Sequence, residues 1–294
     1  MRRYLILTLL AGGLVLFWSG CASQSETAEK APEPEVEKTE TAEPEMEKVT
    51  EDVQLVVKQT SYYSDGVLAS YRVYTYADEG TEKREEVMYD SDDEVEERIE
   101  YTYENGNLIE SRTYNGDGDL QRVHQYAYNQ EGLLTEDKLL DTSGELQTRQ
   151  VFEYNQNGKK TKWSVYNSDG TLLSYSIYKY ENGLNTRIEN YSAAGELLDY
   201  FIVEYNNAGK PEKRTWYNGS DEIEESRSFE YEEGSLVKET VYRANGSVKR
   251  HIAYTNNSYG NPVEVVYMNA GEDIQEQVVY EYINRTRVYY QPVE

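Results

Sequence analysis

Side chains suited to nucleophilic or proton-transfer chemistry are few in this chain. It has two histidines, His124 and His251, and a single cysteine, Cys21. The histidines lie 127 residues apart. No Ser/His/Asp or Cys/His arrangement and no zinc-ligand spacing accompanies them. Both are expected on strand surfaces. Carboxylates are abundant, but no pair is singled out as the acid and base of a glycosidase. The run Asn115-Gly116-Asp117-Gly118-Asp119 alternates oxygen-bearing side chains, which makes Asp117 and Asp119 candidates for a cation site. It lacks the distal Glu of an EF-hand loop, and Asn, Asp and Gly are also the ordinary residues of a tight turn. No catalytic residue, metal or cofactor is expected on this reading.

The elements that must position any site come from a repeat. Tyr62, Tyr89, Tyr114, Leu140, Tyr166, Tyr191, Tyr217, Tyr242 and Tyr267 open successive units, spaced by 25 or 26 residues after the first. Three-residue turns such as Glu181-Asn182-Gly183 go with the shorter spacing, and four-residue turns such as Asn155 to Gly158 with the longer. A constant strand frame with variable loops produces that pattern. A bulge near Met88 would explain the longer first unit, and Pro262 suggests weakened pairing in the last. The turn at the other end of each unit has four residues, as in Asn167-Ser168-Asp169-Gly170, and ends on Gly, or on Asp93 or Asp221. That position calls for a positive φ.

The expected fold is therefore all-β. It is an antiparallel meander of about 16 strands in eight hairpin repeats of 25–26 residues. So wide a sheet should twist and curl into an arc, spiral or incomplete, solenoid-like shell. Alternation assigns Leu172, Tyr178, Tyr180, Phe201 and Trp216 to one, buried face. The opposite face is polar except mid-chain, at Tyr175, Ile177, Tyr200 and Ile202. The chain has 30 Tyr but 4 Phe and 3 Trp, so Tyr must supply much of the buried area, its hydroxyl kept at an edge or hydrogen-bonded. These Tyr-rich faces could stack on glycans or peptides, but their first use is as core.

The formal net charge of -26 argues against nucleic-acid binding and against adsorption to anionic lipid. At the start, Arg2 and Arg3 precede an apolar run from Tyr4 to Phe17, too short for a comfortable membrane span. Residues 1–20 read as a signal peptide. Residues 21–52 are rich in Glu, Pro and Lys with no aromatics, and read as a disordered acidic tether. Residues 53–294 form the repeat domain.

Two resemblances add to this. Trp18-Ser19-Gly20-Cys21 resembles the lipobox of bacterial lipoproteins, with Trp18 where that family usually has Leu. The resemblance implies a lipidated Cys21 as mature N-terminus, with the lipid bilayer as partner. Tyr101-Thr102-Tyr103-Glu104-Asn105-Gly106-Asn107-Leu108 and Tyr178-Lys179-Tyr180-Glu181-Asn182-Gly183-Leu184 resemble the YD repeats of the RHS family, over about residues 60–282. In that family such repeats build β-rich shells. Asp rarely follows the Tyr here and no toxin-sized C-terminal domain is present, so toxin delivery is not implied. MORN-type and antitoxin-like repeats are more distantly similar. The expected function is a non-enzymatic binding or structural scaffold in the bacterial cell envelope, at the outer membrane or cell surface or facing the periplasm. Its partner would be an unknown protein or glycan. An envelope glycan hydrolase and an envelope assembly factor are the alternatives.

Overall fold

The computed structural model describes residues 46–78 and 80–292. All of its regular elements are strands: β1 (Met46–Tyr63), β2 (Leu68–Tyr76), β3 (Lys83–Asp90), β4 (Val95–Glu104), β5 (Asn107–Asn115) and β6 (Leu120–Tyr128). They continue as β7 (Leu134–Leu140), β8 (Leu146–Tyr154), β9 (Lys160–Asn167), β10 (Leu172–Glu181), β11 (Leu184–Ser192) and β12 (Leu197–Tyr205). The last six are β13 (Pro211–Asn218), β14 (Ile223–Glu232), β15 (Ser235–Arg243), β16 (Val248–Asn256), β17 (Pro262–Asn269) and β18 (Ile274–Pro292).

Each strand pairs antiparallel with the next, and β18 returns to pair with β1 along its whole length. The result is an 18-stranded antiparallel meander closed into a barrel. Two expectations are thereby corrected. There are two more strands than expected, because the chain's first and last described segments form the closing pair. The sheet is not an open arc, spiral or partial shell. Residues 46–52, expected in the tether, belong to β1 and pair with Thr286–Pro292.

Closure has a local cause. Every strand pair carries a register shift, so a bulge stands beside each turn. A bulge bends its strand and adds right-handed twist, and repetition at both rims curls the sheet until its edges meet. The shift between Met88 and Tyr89 is one of these recurrent bulges, so it does not explain the longer first unit. The extra residues lie in the loop closed by the Ala77 N–H donating to Glu82 O, 2.8 Å. Pro262 does not weaken pairing: it opens β17 opposite Asn256, where a ladder N–H is least needed. The positive φ expected at the turns is present, at 65° for Asp93, 63° for Asp221 and 87° for Gly170.

One rim is organised by tyrosine. In six units the second aromatic of Tyr-x-Tyr reaches back to a strand carbonyl 20 residues earlier. Tyr76 donates to Val56 O (2.8 Å), Tyr128 to Leu108 O (2.9 Å), Tyr154 to Leu134 O (2.7 Å) and Tyr180 to Lys160 O (2.8 Å). Tyr205 to Asn185 O (2.7 Å) and Tyr282 to Pro262 O (2.8 Å) continue the series, and Asn256 does the same to Leu236 O (2.8 Å). Each of these carbonyls lies two residues beyond the last registered pair of its ladder; for β9 and β10 that pair is Ile177 with Lys162. The hydroxyl thus satisfies a backbone group where neighbouring hairpins splay apart.

The first aromatic position is also filled by Phe152 and Phe229, whereas the second is Tyr or Asn in every unit. On this face cations sit between rings of alternate strands. Lys83 lies 5.2 Å from the Tyr74 ring and 4.5 Å from Tyr101, and Lys160 lies 4.5 Å from Phe152 and 5.7 Å from Tyr178.

Tyr180→Phe is expected to cost about 1 kcal/mol by removing the hydrogen bond to Lys160 O. Tyr178→Phe, at a position that accepts Phe elsewhere, is expected to be near neutral. Urea unfolding of both variants checks this. The hydroxyls also set an alkaline limit. Burial first raises the pKa of Tyr76, Tyr128, Tyr154, Tyr205 and Tyr282, and burial with the Glu86 charge pushes Tyr74 up to about 12. A folded pKa above the unfolded value of about 10 gives stability that is complete below pH 10 and lost as pH rises toward 12. The main rise in tyrosinate absorbance is expected to coincide with loss of β-sheet circular dichroism above pH 10.

Candidate binding cavity

Directly paired residues share a face, so the register sorts the side chains between the bulges. The Tyr-x-Tyr face of β6 to β12 surrounds one cavity of about 730 Å³, lined by His124, Gln150, Trp163, Ser176, Asn190 and Asp199 among others. This is the concave, inward side. Its counterpart holds the intervening residues, such as Lys179 and Glu204, which are exposed.

Both faces are strongly polar at mid-strand. Inside, Glu86 accepts from Arg72, from Lys83 (2.6 Å) and from the Tyr101 hydroxyl (3.0 Å). Burial alone would raise its pKa, but Lys83, Arg72 and Tyr101 outweigh burial and hold it low. Outside, Glu189 is held by Lys179 (2.6 Å), Arg187 (2.8 Å) and Tyr191 (2.8 Å), and is likewise lowered against the effect of burial. Tyr175 stacks on Tyr191 at 5.0 Å and Tyr200 on Tyr217 at 4.8 Å, with the Arg187 guanidinium 3.7 Å from the Tyr200 ring. The apolar mid-chain patch expected on this face is thus covered by its own aromatic pairs and cations.

His124 Nδ1 lies 2.8 Å from Asp137 Oδ1, and Gln150 Nε2 donates to Asp137 Oδ2 at 3.3 Å. Gln150 Oε1 accepts from the Trp163 indole N–H at 3.1 Å. Ser176 Oγ donates to Asn190 Oδ1 and Asn190 Nδ2 to Asp199 Oδ1, both at 2.6 Å. Seven strands, β6 to β12, thus hold two neighbouring chains of oriented polar groups, with Val165 and Thr148 buried among them. The register explains why they meet: Gln150 pairs with both Asp137 and Val165, and Asn190 with both Ser176 and Asp199.

The expectation that both histidines are surface residues is corrected. His124 faces the cavity in contact with Asp137. His251 is 8% exposed and sits beside Thr240, its Nδ1 3.1 Å from Thr240 Oγ1. Asp117 and Asp119 lie at the exposed β5–β6 turn, which Asn115 closes by accepting the Asp119 N–H at 2.8 Å. Among the described residues no group of three or more His, Cys, Asp or Glu is placed to hold a metal ion. Cys21 lies outside the described residues. Trp163, Gln150, Asn190 and Asp199 were not singled out from sequence as a site. The available signal was that these positions break the repeat.

A family model described only as "Uncharacterised protein" matches residues 54–175. No curated protein matches the chain. Among solved structures, a porin-like protein from Bacteroides uniformis is similar at 11% identity and a TM-score of 0.40, covering 81% of this chain and 98% of that one. A porin-like protein from Bacteroides vulgatus gives 10% and 0.25, covering 78% and 98%. TcdB2-TccC3 gives 10% and 0.30, covering 72% of this chain and 16% of that one. These likenesses are remote, and the chemistry has to be read from the chain's own residues. Those residues define a closed β-barrel of hairpin repeats.

Asn190→Leu keeps the volume but leaves Ser176 and Asp199 without their partner. It is expected to cost about 2 kcal/mol, against a few tenths for Asn185→Leu at the rim, measured by urea unfolding.

Proposed function

We propose that this chain is an extracytoplasmic binding protein, anchored in the bacterial envelope through a lipidated Cys21 and built from YD-like hairpin repeats. Residues 1–20 act as the signal peptide, and the acidic segment that follows spaces the barrel from the bilayer. The barrel itself is non-enzymatic and takes a small polar ligand on its inner wall. The observation that carries this reading is the His124–Asp137–Gln150–Trp163 chain with its neighbour Ser176–Asn190–Asp199, set in a cavity of about 730 Å³. That volume falls within the roughly 300–1,000 Å³ of small-molecule sites, and a few convergent polar groups on an apolar wall are their usual composition.

A membrane pore is disfavoured by the charges. A lipid-facing barrel needs an outward apolar band about 25 Å tall. Here Glu189 with its cations occupies mid-strand outside, and Glu86 with Arg72 occupies it inside. Neither face offers that band.

Purified full-length protein is expected to show a thermal upshift with a cavity ligand from a library of polar metabolites and envelope oligosaccharides. Ser174→Phe, which fills the cavity without removing a hydrogen-bond partner, should lose the upshift. Turnover of the bound compound would favour the glycan hydrolase instead, and absence of any cavity-dependent shift would favour an assembly factor. Incorporation of labelled palmitate, abolished in Cys21→Ser, checks the anchor.

A further inference from the structure

We infer that the cavity ligand is a neutral saccharide, an inference that rests on the binding reading above and names its ligand class. Charge comes first. The guanidinium at the cavity is answered within the protein, Arg122 Nη2 lying 3.3 Å from Glu97 Oε2, and the His124 ring is bonded to Asp137. No unanswered positive group is left to attract a phosphate, sulfate or carboxylate. The chain's net charge of -26 adds long-range repulsion of anions.

The hydrogen-bonding groups come second. Asn190 uses its carbonyl for Ser176 and one N–H for Asp199, which leaves a second amide N–H. Asp199 keeps its second carboxylate oxygen as an acceptor, and Ser174 makes no side-chain hydrogen bond within the described structure. Donors and acceptors therefore alternate along one wall, held rigid by their mutual bonds. A hydroxyl both donates and accepts, so adjacent hydroxyls on a ring match such a row, whereas an apolar ligand would leave the groups unsatisfied.

Apolar contact comes third. The Trp163 indole N–H is already spent on Gln150, so the ring itself is what remains to offer. With Leu139 and Leu198 it supplies the apolar area that the C–H face of a sugar ring covers. Leu198 is 47% exposed, a large apolar side chain left uncovered at the cavity's margin. Phosphorylated sugars and peptides match these features less well: the first lacks a cation, and the second lacks a pocket for charged termini.

The test is isothermal titration and tryptophan emission of the full-length protein with three probes: a neutral gluco-oligosaccharide series, an oligogalacturonate, and an uncharged capped tetrapeptide. A neutral oligosaccharide is expected to bind and to shift Trp emission. Asn190→Ala should weaken binding at least tenfold, and Ser174→Phe should abolish it. Because Asn190→Ala also removes internal bonds, Ser174→Phe decides the case should that variant prove unstable. If the acidic sugar or the peptide binds in a Ser174→Phe-sensitive way and the neutral series does not, the saccharide assignment falls while the cavity remains a binding site. Neutral-sugar binding that survives Ser174→Phe overturns the assignment to this cavity. Failure of all three probes, with no cavity-dependent upshift from the wider library, overturns both.

Discussion

The hydrogen bond from a tyrosine hydroxyl to a carbonyl 20 residues earlier is the interaction on which this barrel most depends. A hairpin repeat closed into a ring has a difficulty at one rim, where neighbouring hairpins separate and leave carbonyls beyond the last ladder bond. Such groups are costly when they lose water and gain no partner. The second aromatic of six Tyr-x-Tyr pairs supplies the partner and brings a large apolar ring with it. That pairing of roles contributes to a composition of 30 Tyr against 4 Phe. Phe152 and Phe229 occur at the first aromatic position, where no carbonyl needs a donor, and Asn256 replaces Tyr at the second because an amide N–H can do the same work.

The barrel wall is stabilised by neighbours, not by a filled centre. At about 4.8 Å per strand, 18 strands give a circumference on the order of 85 Å, too wide for side chains to meet across the middle. Among the described residues eight hydrophobic side chains are buried, and the one buried cluster is Ile252, Val265 and Val278 against Tyr254, Tyr267 and Tyr280. Stacked rings, cations over rings and buried carboxylates with two or three donors perform the role of a core on both faces. Each ties adjacent or next-but-one strands, as in a repeat protein whose stability is a sum of neighbour terms. Closure through β1 and β18 then removes the exposed sheet edges that an open meander would present.

A repeat that satisfies its own needs leaves few residues for function. Glycines and Asx residues make turns, Tyr-x-Tyr caps carbonyls, and Glu86 and Glu189 are consumed by the cations around them. The cavity between β6 and β12 is different because its polar groups bond to one another and still have capacity left. Its members stand at repeat positions filled elsewhere by other residue types. Function in such a scaffold is written in the exceptions to the pattern.

Strand period, turn positions and the sharing of faces at mid-strand were legible in the chain itself, because a two-residue alternation and a Gly or Asp at a positive-φ position are local properties; the alternation fails at the bulges, where Leu172 pairs with Tyr166. The repeat-domain start, the histidine environments and the strand count were misjudged for a common reason. Residues 46–52 look like tether until β18 is available to pair with them, and β18 is more than two hundred residues away. His124 looks like a surface residue until Asp137 is set beside it by register. Whether the sheet closes depends on bulges at both rims, and a bulge shifts register without changing the spacing by which a repeat is recognised. Local chemistry could therefore specify each hairpin, while only the tertiary structure decided that the hairpins form a ring, and that Trp163, Gln150, Asn190 and Asp199 face one space inside it.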